Sequence, residues 1–211
     1  MKTLVVGCDA SGKTTFLDSV VEKYGDTLGE MSRSVEARTF KKNNLDRPVD
    51  ADFINQREQL YLNLSHQALM NINQSVGNVI TTDVSLVTRL AHNTMRDMIG
   101  VKSLDDEEII NEWQNDEKLA NASSLDIIVF THAPFTIIRN RIYQRQQAGR
   151  FEEKFWGFNS PYFLESYQER WHKIINRLSE TAFTCLSVDT TKITPSESIK
   201  KYDIIRQPKA N

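Results

Sequence analysis

The chain has 211 residues, 39% apolar and 26% charged, with a formal net charge of −2. That length suits one α/β domain with a real core. The composition excludes a bundle of membrane spans, because no run of eighteen apolar residues occurs. It shows no global basic excess of the kind that proteins holding nucleic acid non-specifically usually carry, which leaves only a local patch for that role.

Two cysteines, Cys8 and Cys185, give no disulfide framework and predict a reducing, cytoplasmic setting. The first apolar run, Leu4-Val5-Val6, is too short for a signal peptide. It reads as a strand over 3–6, with a helix following over 13–23. Residues 35–40 predict a second strand, and the polar stretch 41–50 a loop. A helix over 53–73 places Leu60, Leu64, Ala68 and Ile72 on one stripe. Residues 78–82 read as a third strand ending at Asp83. Helices are expected over 86–99 and, strongly acidic, over 105–119. The clearest buried strand is 125–131, "LDIIVFT". A basic helix over 135–147 leads into a glycine-containing segment, 149–157. Phe163, Tyr167, Trp171, Ile174 and Leu178 recur at helical spacing and predict core packing. A fifth strand spans 183–188. Strands alternating with helices predict a parallel sheet wrapped by helices.

Between the first strand and its helix lies Gly7-Cys8-Asp9-Ala10-Ser11-Gly12-Lys13-Thr14, followed by Thr15. This is the spacing of a phosphate-binding loop in its required context. Glycines admit backbone close to the ligand, N–H groups surround phosphate oxygens, and the helix start adds its positive end. Lys13 is expected to reach the β- and γ-phosphates and Thr14 to hold Mg²⁺. Asp9 beside polyphosphate either faces a metal-bound water or substrate hydroxyl, or caps the turn. Asp83, at a strand's carboxyl end, either orients metal and proton or caps the next helix. Arg139, Arg141, Arg145 and Arg150 fall within twelve residues, with Arg141 and Arg145 on one helical face. They either stabilise a moving phosphoryl group or form a solvated face balanced by Glu152 and Glu153.

With these motifs the chain resembles the thymidylate kinase branch of the P-loop nucleoside and nucleotide kinases. That branch shows G-x-D-G-x-G-K-T-T; this sequence reads GCDASGKTT, with Ala10 for the second glycine. The branch's lid has two arginines four apart, then D-R-[FIY]-E; Arg141, Arg145 and GRFE (149–152) match, with Gly149 for Asp. FLESYQERW resembles its F-x-x-x-V-x-x-x-Y helix, and VITTDVSLVTRLAHN resembles V-I-x-D-R-Y-x-x-S-x-x-A-Y-Q. The departures fall on the acceptor half. Val84 replaces the arginine that binds the acceptor phosphate, His92-Asn93 replaces Y-Q, and no R-E-P-G-G is recognisable in SVEARTFKKNN. Arg38 and Arg89 are candidates to take over the lost arginine.

The resemblance implies a P-loop kinase fold: a five-stranded parallel sheet flanked by helices, one domain over 1–211, with a short lid at about 141–158. It implies ATP and Mg²⁺ as cofactors and Asp9, Lys13, Asp83, Arg141, Arg145 and Arg150 as catalytic residues. Donor contacts are expected from Gly7, Cys8, Asp9, Ala10, Ser11, Gly12, Lys13, Thr14 and Thr15, and metal contacts from Thr14 and Asp83. The expected reaction is phosphoryl transfer to a nucleotide-type acceptor, first a thymidylate-like deoxynucleoside monophosphate. The alternative acceptor is a hydroxyl, on a deoxynucleoside or on a 5-hydroxymethyl pyrimidine within phage DNA, with Lys41, Lys42, Arg47 and Arg89 as a basic surface. A phage source would put the protein in the host cytoplasm. A third reading is a nucleotide-binding switch without turnover; the absence of an N-K-x-D stretch argues against a GTPase. A homodimer and no membrane partner complete the expectations.

Overall fold

Five short parallel strands set the frame: β1 (Lys2–Val6), β2 (Thr27–Gly29), β3 (Val79–Thr81), β4 (Ile127–His132) and β5 (Thr184–Asp189). The computed structural model describes residues 1–29, 35–44, 47–74, 77–82, 85–119, 125–149, 161–181, 183–191 and 194–206. The strand order is β2-β3-β1-β4-β5, every pairing parallel. Both faces are covered, which is why β1 and β4 read as continuous apolar runs and not as alternating ones. On one face Val5, Ile80, Val129 and Val188 meet α1 (Lys13–Tyr24) and α8 (Pro195–Arg206) through Phe16, Val20, Ile199 and Tyr202. On the other, Leu4, Val6, Ile128 and Phe130 meet α4 (Ser85–Met98), α5 (Asp106–Leu119) and α7 (Pro161–Ser179). The stripe Phe163, Tyr167, Trp171, Ile174 and Leu178 is the buried face of α7, as its spacing predicts.

The remaining helices are α2 (Val35–Asn43), α3 (Ala51–Gln74) and α6 (Phe135–Gln147). Helix α4 is covered by α3, α5 and α7 together, so its Thr88, His92, Asn93 and Thr94 are buried along with its apolar residues. None of the described helices is long and apolar enough to cross a membrane.

Two expectations are corrected. Residues 35–40 form the start of α2, not a strand, and the helix takes in the first residues of the expected loop. Ala37 is buried, Phe40 half-buried against Phe53, and Val35 exposed. That i, i+3 spacing belongs to a helix face. The second strand is instead Thr27–Gly29, three residues paired to β3. Helix α8 was not anticipated, although its start carries a readable signal. Thr194 N–H donates to Glu197 Oε2 at 2.9 Å, Glu197 N–H reaches back to Thr194 Oγ1 at 3.4 Å, and Pro195 occupies the first turn.

Candidate active site

Because β1 is central, the loop that follows it opens at the carboxyl edge of the sheet, where open α/β folds take ligands. Its shape depends on β4. Gly7 has φ +141°, and a Cβ there would lie 2.2 Å from the Thr131 carbonyl oxygen. Only glycine tolerates that approach. Ser11 Oγ lies 2.8 Å from Thr131 Oγ1, which fastens the loop to the neighbouring strand. Ser11 N–H donates to the Cys8 carbonyl at 3.2 Å and closes the turn. Ala10 sits at φ +61°, a left-handed conformation that costs a residue with a Cβ about 1–2 kcal/mol. Alanine therefore occupies here, in a left-handed conformation, the position where the resembled G-x-D-G-x-G-K-T-T pattern has glycine.

Lys13 opens α1, and its Nζ donates to the carbonyls of Gly7 at 2.8 Å and Cys8 at 2.7 Å. The ammonium thus lies over the rim of the loop. Asp9, Thr14 and Thr15 are exposed. Cys8 is buried, and burial pushes its thiol up to about 12, Lys13 pulling the other way. It is a packing residue and not a nucleophile.

The basic helix delivers one arginine directly to this loop. Arg141 donates from NH1 to the Ala10 carbonyl at 3.2 Å and to Thr190 Oγ1 at 2.9 Å, and from NH2 to the Thr190 carbonyl at 2.6 Å. Burial and the neighbouring Arg145 charge lower its pKa, while Asp189 raises it; a guanidinium stays charged regardless. Thr190 Oγ1 in turn donates to the Ser11 carbonyl at 2.8 Å. Beside this network lies a cavity of about 210 Å³ lined by Ala10, Gly12, Thr15, Phe16, Arg141, Thr190 and Ser198. Arg145 stands one turn from Arg141, within electrostatic reach of it. Asp83, Val84 and Arg150 lie outside the described residues, as do the second half of the expected lid (150–158) and the side chains of Arg38 and Lys41.

Helices α3 and α4 present a buried polar pair, Arg57 and His92, of which only His92 stood out in the sequence. Arg57 is 1% exposed, its NH1 lies 2.6 Å from His92 Nε2, and its guanidinium stacks 4.3 Å over the Tyr61 ring. Burial lowers the Arg57 pKa to about 10, opposed by Tyr61, Asp9 and Tyr167, so it stays a cation. Burial, then the Asp9 charge, hold the Tyr167 phenol well above its ordinary range. The readable signal was an arginine on the apolar stripe that Phe53, Tyr61, Leu64 and Ala68 form on α3.

Arg89 is placed elsewhere. It is bonded to Glu112 and Asp116 of α5. Arg47 is held by Gln56 and Asp52, and Arg96 by Glu58 and Asn55. Among the described residues no cluster of three or more His, Cys, Asp or Glu side chains is placed to hold a metal ion.

No protein-family model matches the chain, and no curated protein does either. Solved structures do match. Deoxyadenosine kinase from M. mycoides with bound dATP superposes with a TM-score of 0.73 at 15% identity, over 98% of this chain and 100% of that one. The same enzyme with bound dCTP gives 0.71 at 16% identity over 97% of each chain. With products dCMP and a flexible dCDP bound it gives 0.71 at 17%, again over 97% of each. The chain thus has, along almost its whole length, the P-loop kinase fold of these deoxyadenosine kinase structures.

Proposed function

We propose that the protein is an ATP-dependent nucleoside kinase, one unit over 1–211, that transfers the γ-phosphoryl group of ATP to a hydroxyl of a deoxynucleoside. The observation that carries this is the convergence of Lys13 and Arg141 on the carbonyls of one phosphate-binding loop. The full-length likeness to a deoxyadenosine kinase solved with dATP, dCTP and product nucleotides supports the same reading. A hydroxyl acceptor is preferred over a monophosphate because Val84 cannot pair a charge and Arg89 is engaged by two carboxylates of α5.

In this reading the backbone N–H groups of residues 7–15 cradle the donor phosphates, with Cys8 and Ala10 shaping the loop from within. The donor base enters the cavity beside Thr190. Lys13 and Arg141 exchange the loop carbonyls for phosphate oxygens, and Arg145 and Arg150 add positive charge to the transferring group. The acceptor lies against Asp9, Arg57 and Tyr167. Its hydroxyl oxygen attacks the γ-phosphorus, the bond to the β–γ bridging oxygen breaks, and ADP leaves with that electron pair. A carboxylate, Asp83 or Asp9, takes the hydroxyl proton. The exposed Thr14 hydroxyl at the start of α1 suits a hard cation shared with phosphate oxygens, and Asp83 would hold it through water. Mg²⁺ held there would neutralise charge on the donor phosphates.

The test is ATP consumption with deoxyadenosine, deoxycytidine, thymidine, dTMP and an oligonucleotide carrying a 5-hydroxymethyl pyrimidine. Turnover with a deoxynucleoside is expected, with dTMP and the oligonucleotide inert. Turnover with dTMP alone reinstates the thymidylate reading, and turnover with the oligonucleotide alone makes the enzyme a DNA-modifying kinase. ATP binding without turnover on any acceptor makes it a nucleotide-binding switch.

A further inference from the structure

The Arg57–His92 contact assigns the imidazole a definite chemical state. His92 Nδ1 lies 2.5 Å from the Thr88 carbonyl oxygen, one helical turn back on α4. A carbonyl only accepts, so Nδ1 carries the proton. Nε2, 2.6 Å from Arg57 NH1, faces a group that only donates, so it offers its lone pair. The ring is therefore neutral and of one tautomer, set by the helix backbone behind it. A second ring proton would put two cations in contact in a site from which water is excluded. Burial first, then Arg57 and Arg96, hold the imidazole pKa well below its ordinary value, so the state persists across neutral pH.

The grip on Arg57 is two-sided. His92 takes the edge of the guanidinium and the Tyr61 ring takes its face. Both contacts come from α3 and α4, while Asp9 of the phosphate loop acts on the same cation electrostatically. A planar fork held at one edge and one face has a fixed orientation. Tightening a first contact through a second side chain is how a site acquires angular precision.

We propose that His92 is a positioning residue for the acceptor: its neutral Nε2 sets the angle of the Arg57 guanidinium, the buried cation that Asp9 of the phosphate loop acts on, and so sets acceptor affinity. This rests on the kinase reading above. It differs from a purely structural role, because the loss of His92 would then fall on acceptor binding and spare the donor.

The experiment compares wild type with His92→Leu and His92→Gln, using the deoxynucleoside that wild type turns over best. Leucine removes the acceptor atom, whereas the Gln side-chain carbonyl restores one. His92→Leu is expected to raise KM for the nucleoside about tenfold or more, the scale of a lost charged hydrogen bond, with KM for ATP and kcat within about threefold. His92→Gln is expected to recover most of the loss. Equal changes in donor and acceptor parameters, or no recovery with Gln, overturn the proposal. In wild type, ¹⁵N-histidine NMR checks the same claim whether or not the leucine variant folds. One of the four histidines should show a neutral ring protonated at Nδ1 from about pH 5.5 to 8, with its Nε2 signal shifting on addition of nucleoside. A ring protonated at Nε2, or a signal that ignores saturating nucleoside, overturns it. If wild type binds ATP but phosphorylates no acceptor, the kinase reading has failed, and an NMR result of Nδ1 protonation without any nucleoside response removes the positioning role with it.

Discussion

The Arg141 guanidinium and the Thr190 carbonyl oxygen are 2.6 Å apart, and the Thr190 hydroxyl bridges the same arginine to the phosphate loop through Ser11. The residue just past β5 and the middle of α6 thereby both bond to the loop. Thr190→Val keeps the shape and removes the hydroxyl. The expected cost is about 1–2 kcal/mol in urea unfolding, the scale of a part-buried hydrogen bond with a charged partner. A several-fold rise in KM for ATP should accompany it. Thr190→Ser should behave as wild type. An unchanged denaturation midpoint in the valine variant would show that the hydroxyl is not structural.

Lys13→Ala should leave the thermal melt close to wild type, since among the described residues the ammonium bonds to the loop's own carbonyls. Turnover should fall by roughly 10²–10³, the effect of one electrostatic donor on developing charge. ATP consumption by the folded variant within a few-fold of wild type would remove Lys13 from the chemistry.

Arg89→Ala discriminates between two roles. Its guanidinium is bonded to Glu112 and Asp116, so removing it leaves two carboxylates facing each other on α5. A loss of about 1–2 kcal/mol in stability is expected, with acceptor KM unchanged. A sharp rise in KM for dTMP, with stability intact, would make Arg89 a phosphate clamp after all.

The buried Cys8 thiol predicts an alkaline sensitivity. Its folded pKa is raised from 9.0 to about 12 by burial. Above pH 9 the unfolded chain gives up this proton while the folded one keeps it. The stabilising contribution is therefore complete below pH 9 and is lost as the pH rises toward 12, at up to about 1.4 kcal/mol per pH unit. Urea unfolding of wild type and Cys8→Ala under reducing conditions, at pH 8, 9 and 10, should show the wild type losing stability faster. Parallel slopes would count against a buried, protonated thiol, as would rapid labelling by a thiol reagent at pH 8.5.

Local patterns in the chain were legible where they were long or chemically marked. The phosphate loop, the buried strand at β4, and helices α3, α6 and α7 follow from spacing alone, because each carries its pattern within one segment. The three residues of β2 offer a single apolar side chain, Leu28, and no alternation to detect. Residues 35–40 mislead because Val35, Phe40 and a threonine suggest a strand, while the helix is secured by Ala37 and Phe40 against α3. Helix α8 was legible in the Thr194–Glu197 capping box. Around the loop, Lys13 and Arg141 were marked by motif and spacing, and both side chains bond to loop carbonyls. Arg57 and His92 were not joined, since 35 residues separate them and only the packing of α3 on α4 brings them together. Thr131 and Thr190 carry no signal of their own. They matter because the loop folds against them.

That dependence has a consequence for the order in which the protein becomes competent during synthesis. The motif is spelled out within the first fifteen residues, but the contacts that shape it come from Thr131, 120 residues beyond Ser11, from Arg141, 131 residues beyond Ala10, and from Thr190, 179 residues beyond Ser11. A nascent chain therefore carries the phosphate-binding text long before it carries the phosphate-binding shape. Donor nucleotide cannot act as an early folding ligand for it, because no cradle exists until β4 has paired with β1. Contacts this distant also make the sheet slow to close. The apolar edge of β1 that pairs with β4 must wait in the meantime.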